Sequence, residues 1–502
     1  MSKSSAQEPL GREVWIVAAV VVIGVIMSIF DTTIVNVALE TLSRELHSPL
    51  STIQWVSTGY LLALALVIPL TGWLSERYGS KRIWMVSVAL FGIGSALCGA
   101  AWNAESLIFF RVLQGLGGGM IMPVGMSVMA QTAGPHRIGR VMSVIGVPML
   151  LGPILGPVIG GVVVDNASWR WIFYVNIPIV LVALAMASRL LHADAGRADA
   201  GRLDVTGLAL ISPGLAAVVF GLSESETHGG FGAPLVWVPV VAGVALVALF
   251  VRHALGATRP LIDLNLFRNH GFSAAAASTF LLGGALFGTM LILPLYYQVA
   301  RGESALTAGL LMAPQGVGAA MAMPLAGRLT DRVGGGRVAL VGIVVMTIGT
   351  LPFAFVGGAT SYALLAGLLV IRGLGLGASM MPSMAAAYAL LKRDAVPRAT
   401  STLNVTRQIG GSIGTALLAV YLQGQMKDAV GGAGGLQSVP EQVRARNAAP
   451  LAEAFAHTFG LALIMSMIAI VPIAVLAWTT RERSADYAEP RAGAEQVPAP
   501  VR

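Results

Sequence analysis

Asp31 is the one carboxylate placed deep in an apolar stretch of this chain; every other Asp or Glu falls in a loop, a tail or near a stretch end. A charge near the centre of a bilayer costs at least about 2.5–3.5 kcal/mol on insertion scales, so such a residue is a functional candidate. Two readings fit it. A carboxylate kept protonated, or paired only to steady packing, needs no further role. A carboxylate in a central cavity can instead take up a proton or a cation, because burial favours the neutral acid and a nearby cation favours the charged form.

Arg111 is the partner that depth predicts. It lies about 5 residues inside its apolar stretch and Asp31 about 8, a difference of about 5 Å at 1.5 Å per residue. Gln114 and Gly118, three and seven residues on, share the face of Arg111. The alternative is an interfacial arginine reaching outward to water. Gly152-Pro153-Ile154-Leu155-Gly156-Pro157-Val158-Ile159-Gly160-Gly161 places glycines four apart, a flat stripe that admits a neighbouring helix, with two prolines that bend it. Tight packing alone also explains that pattern. The short basic loop Gly72–Arg82 holds Glu76, Arg77, Gly79 and Arg82; Glu76 is expected just before the third helix, at its positive end. The loop recurs at Gly327–Arg337 with Asp331 and Arg332. A topology signal alone is the simpler reading, and the recurrence favours a paired structural role. Gln54, Tyr60, Phe287, Met290, Tyr296 and Gln315 join Asp31 and Gln114 as candidate substrate-lining residues, since Met and aromatic groups suit permissive pockets. Bundle core accounts for them equally well.

The elements that must hold these residues are membrane spans. Of 502 residues, 56% are hydrophobic and 11% charged, with mean hydropathy +0.77; soluble domains carry about 25% charged residues. The net charge of +8 sits in short loops rather than on one polar face, so nucleic acid is excluded as a partner. The single cysteine, Cys98, allows no intramolecular disulfide, and the seven histidines show no metal spacing. No Gly-x-x-x-x-Gly-Lys-Ser/Thr motif supports ATP-driven pumping. No cofactor, metal or enzymatic activity is expected. The apolar run Val14–Leu39 is too long for a signal-peptide core of about 7–15 residues and reads as a retained first span.

The chain repeats itself. Gly115, Gly117 and Gly119 return as Gly373, Gly375 and Gly377 at an offset of 258, as do Arg140 as Arg398 and Ser143 as Ser401; the basic loop returns at 255. Parallel repeats of membrane helices are a secondary-transporter plan. Fourteen stretches approach the length of about 20 residues that a span needs. The repeat leaves room for two extra helices, Val205–Leu222 and Leu235–Val251, between bundles of six. The expected plan is an N-terminus over 1–13, a six-helix bundle over 14–191, the two extra helices over 203–256, a second six-helix bundle over 271–480 with an outer loop over 423–456, and a polar, disordered tail over 481–502. Twenty-three of the thirty-two Lys and Arg residues fall on one side, six on the other and three within spans. Both termini are therefore expected in the cytoplasm.

Together these motifs resemble the major facilitator superfamily, and within it the fourteen-helix drug:proton antiporters of the EmrB/QacA type. The resemblance runs from the first helix to about Leu422. Asp31-Thr32-Thr33-Ile34-Val35-Asn36-Val37-Ala38-Leu39 resembles the family's first-helix signature, with Glu40 where proline is usual. Gly72–Arg82 resembles its gating loop, with Glu76 for the usual Asp and Ser80 for the usual Arg. Arg111-Val112-Leu113-Gln114-Gly115 resembles the fourth-helix motif linked to proton coupling, Gly152–Gly161 the antiporter motif, and Trp169–Pro178 the entry to the sixth helix.

The resemblance implies an all-α membrane fold, alternating access in the plasma (inner) membrane, and proton-driven export of small amphipathic compounds. It makes Asp31 the coupling or substrate carboxylate, Arg111 its modulator, and the Gly152–Gly161 helix a dry interface. Protons, a small-molecule substrate and the bilayer are the expected partners; accessory export partners are not legible. The second-bundle acid that some relatives use for divalent cations is not found, so neutral or monocationic substrates are expected over dications. A dedicated exporter of one endogenous product and a non-transporting membrane sensor are the rival readings.

Overall fold

The computed structural model describes residues 12–133, 139–141, 152, 156, 159–160, 162–163, 166–192, 196, 201–224, 232–391, 395–430 and 447–486. Apolar segments in lipid must satisfy their backbone groups internally, and helices are the form that does so within one segment. Thirteen long helices result among the described residues. The first five are α1 (Arg12–Glu45), α2 (Trp55–Tyr78), α3 (Ser80–Gly99), α4 (Ala104–Ala133) and α5 (Trp171–Leu190). Then come α6 (Val205–Glu224) and α7 (Pro234–Gly256). The last six are α8 (His270–Leu295), α9 (Ala305–Val333), α10 (Gly335–Thr350), α11 (Tyr362–Ala389), α12 (Val396–Val430) and α13 (Ala448–Asp486).

Twelve of these are long and apolar enough to cross a membrane. The exception is α12, whose Thr400, Ser401, Thr402, Asn404, Thr406 and Arg407 lower its hydropathy. The fifth expected span, Val141–Val164, lies largely outside the described residues. Two expectations are corrected. The outer loop drawn over 423–456 is shortened from both sides, because α12 runs on to Val430 and α13 starts at Ala448. The polar tail begins as helix through Asp486, since Arg481, Glu482 and Arg483 propagate helix well; residues 487–502 lie outside the described residues.

The repeat is a repeat of packing. In α4, a Cβ on Gly115 would crowd Tyr60 O, one on Gly117 Phe91 N, and one on Gly119 Leu64 Cα. In α11, Gly373, Gly375 and Gly377 meet Gln315 O, Met346 N and Ala319 O. The partners Tyr60, Phe91 and Leu64 map to Gln315, Met346 and Ala319 at the loop's own offset of 255. Each half therefore seats one glycine-faced helix between two neighbours, which lets backbones approach closely. The two basic loops also turn alike: Gly79 and Gly334 have φ of 87° and 91° with ψ of 141° and 140°, a left-handed region open to glycine.

Crossed ion pairs join the halves at the end bearing the basic loops. Arg398 Nε of the second half lies 2.8 Å from Glu76 Oε1 of the first. Arg140 Nε of the first half lies 2.7 Å from Asp331 Oδ2 of the second, whose Oδ1 also accepts from Gly139 N at 3.0 Å. Glu76 and Asp331 are repeat equivalents, and so are Arg140 and Arg398. Glu76 thus closes the C-terminal turn of α2 and faces the other half, rather than opening the third helix as expected. Arg77, Arg82 and Arg332 are exposed. A 3-10 turn at Ile68–Leu70 kinks α2 around Pro69, and Ser401 Oγ of α12 donates to Ile68 O at 2.9 Å.

The extra pair rides on this seam. Helix α6 packs on α7, on α2 and on α12. Ser212 Oγ donates to Leu66 O at 2.6 Å, Trp55 and Phe220 stack at 5.6 Å, and Ile211, Leu215 and Phe250 share a core with Ile68 and Val405. Helix α7 turns Val241, Val244 and Leu249 outward, as a lipid face requires. Asp204 anchors the pair from outside the spans. Burial pushes its carboxyl up, but Gly207 N–H, His253 Nε2 and Leu261 N–H outweigh that and hold it below the usual range.

Asp204 therefore stabilises the pair at neutral pH, and the contribution is lost as pH falls below about 4. Thermal unfolding across that range should lose part of its pH dependence in Asp204→Asn; an unchanged profile would remove Asp204 as an anchor. The seam is tested with Ser401→Cys in a Cys98→Ser background. Breaking one mostly buried pair by Asp331→Asn should speed thiol labelling by about tenfold or more, equal to about 1.4 kcal/mol of closure. The swap Asp331→Arg with Arg140→Asp should slow it again. Equal labelling in all three would mean that the crossed pairs do not hold the seam.

Candidate functional site

Asp31 sits on α1 and Arg111 on α4, and their predicted pairing is observed. Arg111 Nη1 lies 2.6 Å from Asp31 Oδ2, with both residues 1% exposed. The carboxylate is bonded at both oxygens, since Oδ1 accepts from Gln114 Nε2 at 2.8 Å and from Asn176 Nδ2 at 3.1 Å. Arg111 is held as closely. Its Nη1 also donates to Gln114 Oε1 at 2.8 Å, and its Nε donates to Val56 O at 3.1 Å. Its guanidinium lies 4.1 Å from the Tyr60 ring centroid and 5.7 Å from that of Phe173. A buried ion pair offsets its desolvation only when the remaining donors and acceptors are met, and here the amides and the ring do that.

This network lies inside the first bundle, among α1, α2, α4 and α5. That corrects the reading of a carboxylate open to a central cavity: Asp31 has no exposed side-chain surface. Two members escaped sequence reading. Asn176 of α5 bonds both Asp31 and Ser95 Oγ, the latter at 3.0 Å, and Ser95 Oγ donates to Phe173 O at 2.9 Å. The available signal was a polar Asn two residues before Pro178 in an apolar span.

The glycine stripe is brought to the same place. A Cβ on Gly152 would overlap Ile29 Cγ2, one on Gly156 would overlap Thr33 Oγ1, and one on Gly160 would come within 3.2 Å of Ile34 Cγ2. These three glycines thus grip α1 on either side of Asp31. The expected dry interface is, for them, an interface within the first bundle. Pro153, Pro157 and Gly161 lie outside the described residues.

The other lining candidates scatter. Tyr60 belongs to the Asp31 network. Gln54 is exposed at the start of α2. Phe287 is half-buried, with Gly411 of α12 against its ring, and Met290 packs at the edge of the main core. Tyr296 is wholly buried near the far end of the second bundle, against Phe455 and Phe459, with its hydroxyl donating to Gly357 O at 3.0 Å. Gln315 accepts from Arg372 Nη1. The structure brings only Tyr60 and Gln114 to Asp31.

Gly156→Ala should destabilise the protein by about 1–3 kcal/mol, the usual range for overpacking, and Thr33→Ala should recover part of it. The readout is the thermal midpoint in lipid nanodiscs. Equal midpoints for wild type and Gly156→Ala would mean that α1 can yield at this contact.

A sequence profile described as Major Facilitator Superfamily matches residues 21–415. The chain is 39% identical over 482 residues to "Multidrug resistance protein B homolog" of Mycobacterium tuberculosis, covering 91% of this chain and 89% of the relative. It is 29% identical over 414 residues to "Multidrug export protein EmrB" of Escherichia coli K12, covering 82% and 81%. Among solved structures, the human organic anion transporter MFSD10 (TETRAN) superposes with a TM-score of 0.58 at 14% identity, over 91% of this chain and 100% of that one, a likeness of fold alone. With its halves related by repeat, its apolar helices and a profile match over most of its length, this chain belongs to the major facilitator superfamily and is a transporter rather than an enzyme.

Proposed function

We propose that the protein exports small amphipathic compounds across the plasma (inner) membrane by proton-driven alternating access, with both termini cytoplasmic. Two six-helix bundles over 14–191 and 271–480 would rock about the seam, carrying the extra pair over 203–256. The printed names of the relatives, multidrug resistance and multidrug export, support the efflux reading. The observation that carries proton coupling is the Asp31 network, a single carboxylate held entirely by Arg111, Gln114 and Asn176.

Protonating Asp31 removes the charge that Arg111 answers. Breaking a buried pair on one side costs about 3–5 kcal/mol, and a repacking of α1 against α4 and α5 would relieve it. The glycines at 152, 156 and 160 bear on α1 next to Asp31, so a shift there is passed to the fifth segment. At the basic end Glu76–Arg398 and Arg140–Asp331 close the seam. That supports a state shut toward the cytoplasm, in which Asp31 would be reached from the other side.

Asp31→Asn keeps the size of the side chain and cannot change charge. In inverted membrane vesicles with an imposed pH gradient, dye uptake should fall at least about tenfold, with the protein still folded and inserted. Uptake at the wild-type rate would exclude Asp31 as the coupling group.

A further inference from the structure

The second bundle sets an arginine and a glutamine at positions equivalent to members of the Asp31 network, without its acid. Gly94 of α3 packs on the backbone of Gln114, and Gly349 of α10 packs on the backbone of Arg372 in the same way. The offsets of 255 and 258 relate the two contacts, so Arg372 stands where Gln114 stands in the first bundle. By the same offset Gln315 stands at the place of Tyr60. The counterpart of Asp31 follows from the paired glycines. Gly152 and Gly156 meet Ile29 and Thr33, while Gly410 and Gly414 meet Phe280 and Gly284, an offset of 251 that carries Asp31 to Leu282. Helix α8 contains no acidic residue at all.

Arg372 is therefore a buried guanidinium that faces no carboxylate among the described residues. It is 3% exposed, its Nη1 donates to Gln315 Oε1, and its Nε meets no acceptor among the described residues. An arginine cannot shed its proton as a buried lysine can, so burial leaves it charged and in need of an anion. In the first bundle that need is met from within by Asp31. We propose that Arg372 and Gln315 form a subsite of the second bundle for one monoanionic group, a carboxylate or an inorganic anion. The guanidinium fork would bind the anion, and Gln315, which can turn its amide N–H outward, would complete the contact. Asp31 is already fully engaged, so this subsite rather than Asp31 would select substrate charge, toward amphipathic acids and away from cations. That selection rests on the efflux reading; the binding itself does not.

The test uses the full chain in lipid nanodiscs with 1-naphthoate and its neutral amide as probes, measured by equilibrium dialysis. Arg372→Gln should weaken naphthoate binding by about tenfold or more and the amide by less than about twofold, the contrast expected for a charge-assisted bond. Arg372→Lys and Gln315→Ala should give intermediate losses and serve if Arg372→Gln does not fold. In a second arm chloride is exchanged for gluconate. A chloride-dependent thermal midpoint that Arg372→Gln abolishes, without Arg372-dependent naphthoate binding, would assign the subsite to an inorganic anion. Equal losses for acid and amide, or no effect of Arg372 on either anion, would overturn the subsite. Inverted vesicles separate the two readings. Arg372-dependent naphthoate binding without uptake of any probe would sink efflux and keep the subsite; uptake of neutral and cationic dyes with no anion effect would do the reverse.

Discussion

A charge in an apolar bundle has to be answered by the bundle, and most of what is particular to this molecule follows from one such answer. Asp31 cannot be solvated where it sits. Arg111, Gln114 and Asn176 are brought to it from two other helices, and Tyr60 and Phe173 flank the arginine. Their approach depends on close helix packing, hence the glycines of α4 against α2 and α3, and those at 152, 156 and 160 against α1. A bulkier stripe would push α1 outward and lengthen bonds that are now 2.6 to 3.1 Å. Polar satisfaction and glycine packing are here two sides of one requirement.

The repeat carries the same logic to the seam. Because each half contributes one acid and one arginine, a two-fold relation between halves turns two internal motifs into two crossed ion pairs. Neither half can form the pair alone. On the proposed reading, such pairs are strong enough to favour one arrangement and weak enough to be exchanged for water as the bundles rock, since each keeps one partner partly exposed. Helix α6 adds friction of another kind. It is packed on α2 and α12 at once, so relative motion of the bundles has to slide along it or carry it.

Much of this was legible in the residues. Apolar length predicted the spans, and depth along the helices predicted the meeting of Asp31 and Arg111. Offsets in the glycine pattern predicted halves that pack alike. What escaped has physical causes. Asn176 reaches Asp31 through tertiary packing that no spacing on its own helix encodes. Glu76 looked like a cap for the following helix because local sequence cannot show a partner 322 positions away, Arg398. The outer loop was overdrawn because polar sequence such as 423–430 lacks the hydropathy of a span yet continues a helix already nucleated. Tyr296 and Gln54 were chosen for polarity and aromaticity, which describe a pocket and a packed core equally well.

The two halves share a frame and differ in charge, and that difference bears on mechanism more than the likeness does. In the first bundle acid, arginine and amide close on one another, so on the proposed reading a change in the protonation of Asp31 would alter packing without any ligand present. In the second, Leu282 stands in place of the acid and Arg372 in place of the amide, so no acid among the described residues answers the arginine there. A transporter in which both bundles were self-neutralised would have a coupling group and nothing to set substrate charge. One with two open bundles would suffer the desolvation of an uncompensated guanidinium in each. On the proposed reading, the asymmetry lets one half respond to the proton while the other is free to respond to the cargo, and the crossed pairs at the seam are where the two responses meet.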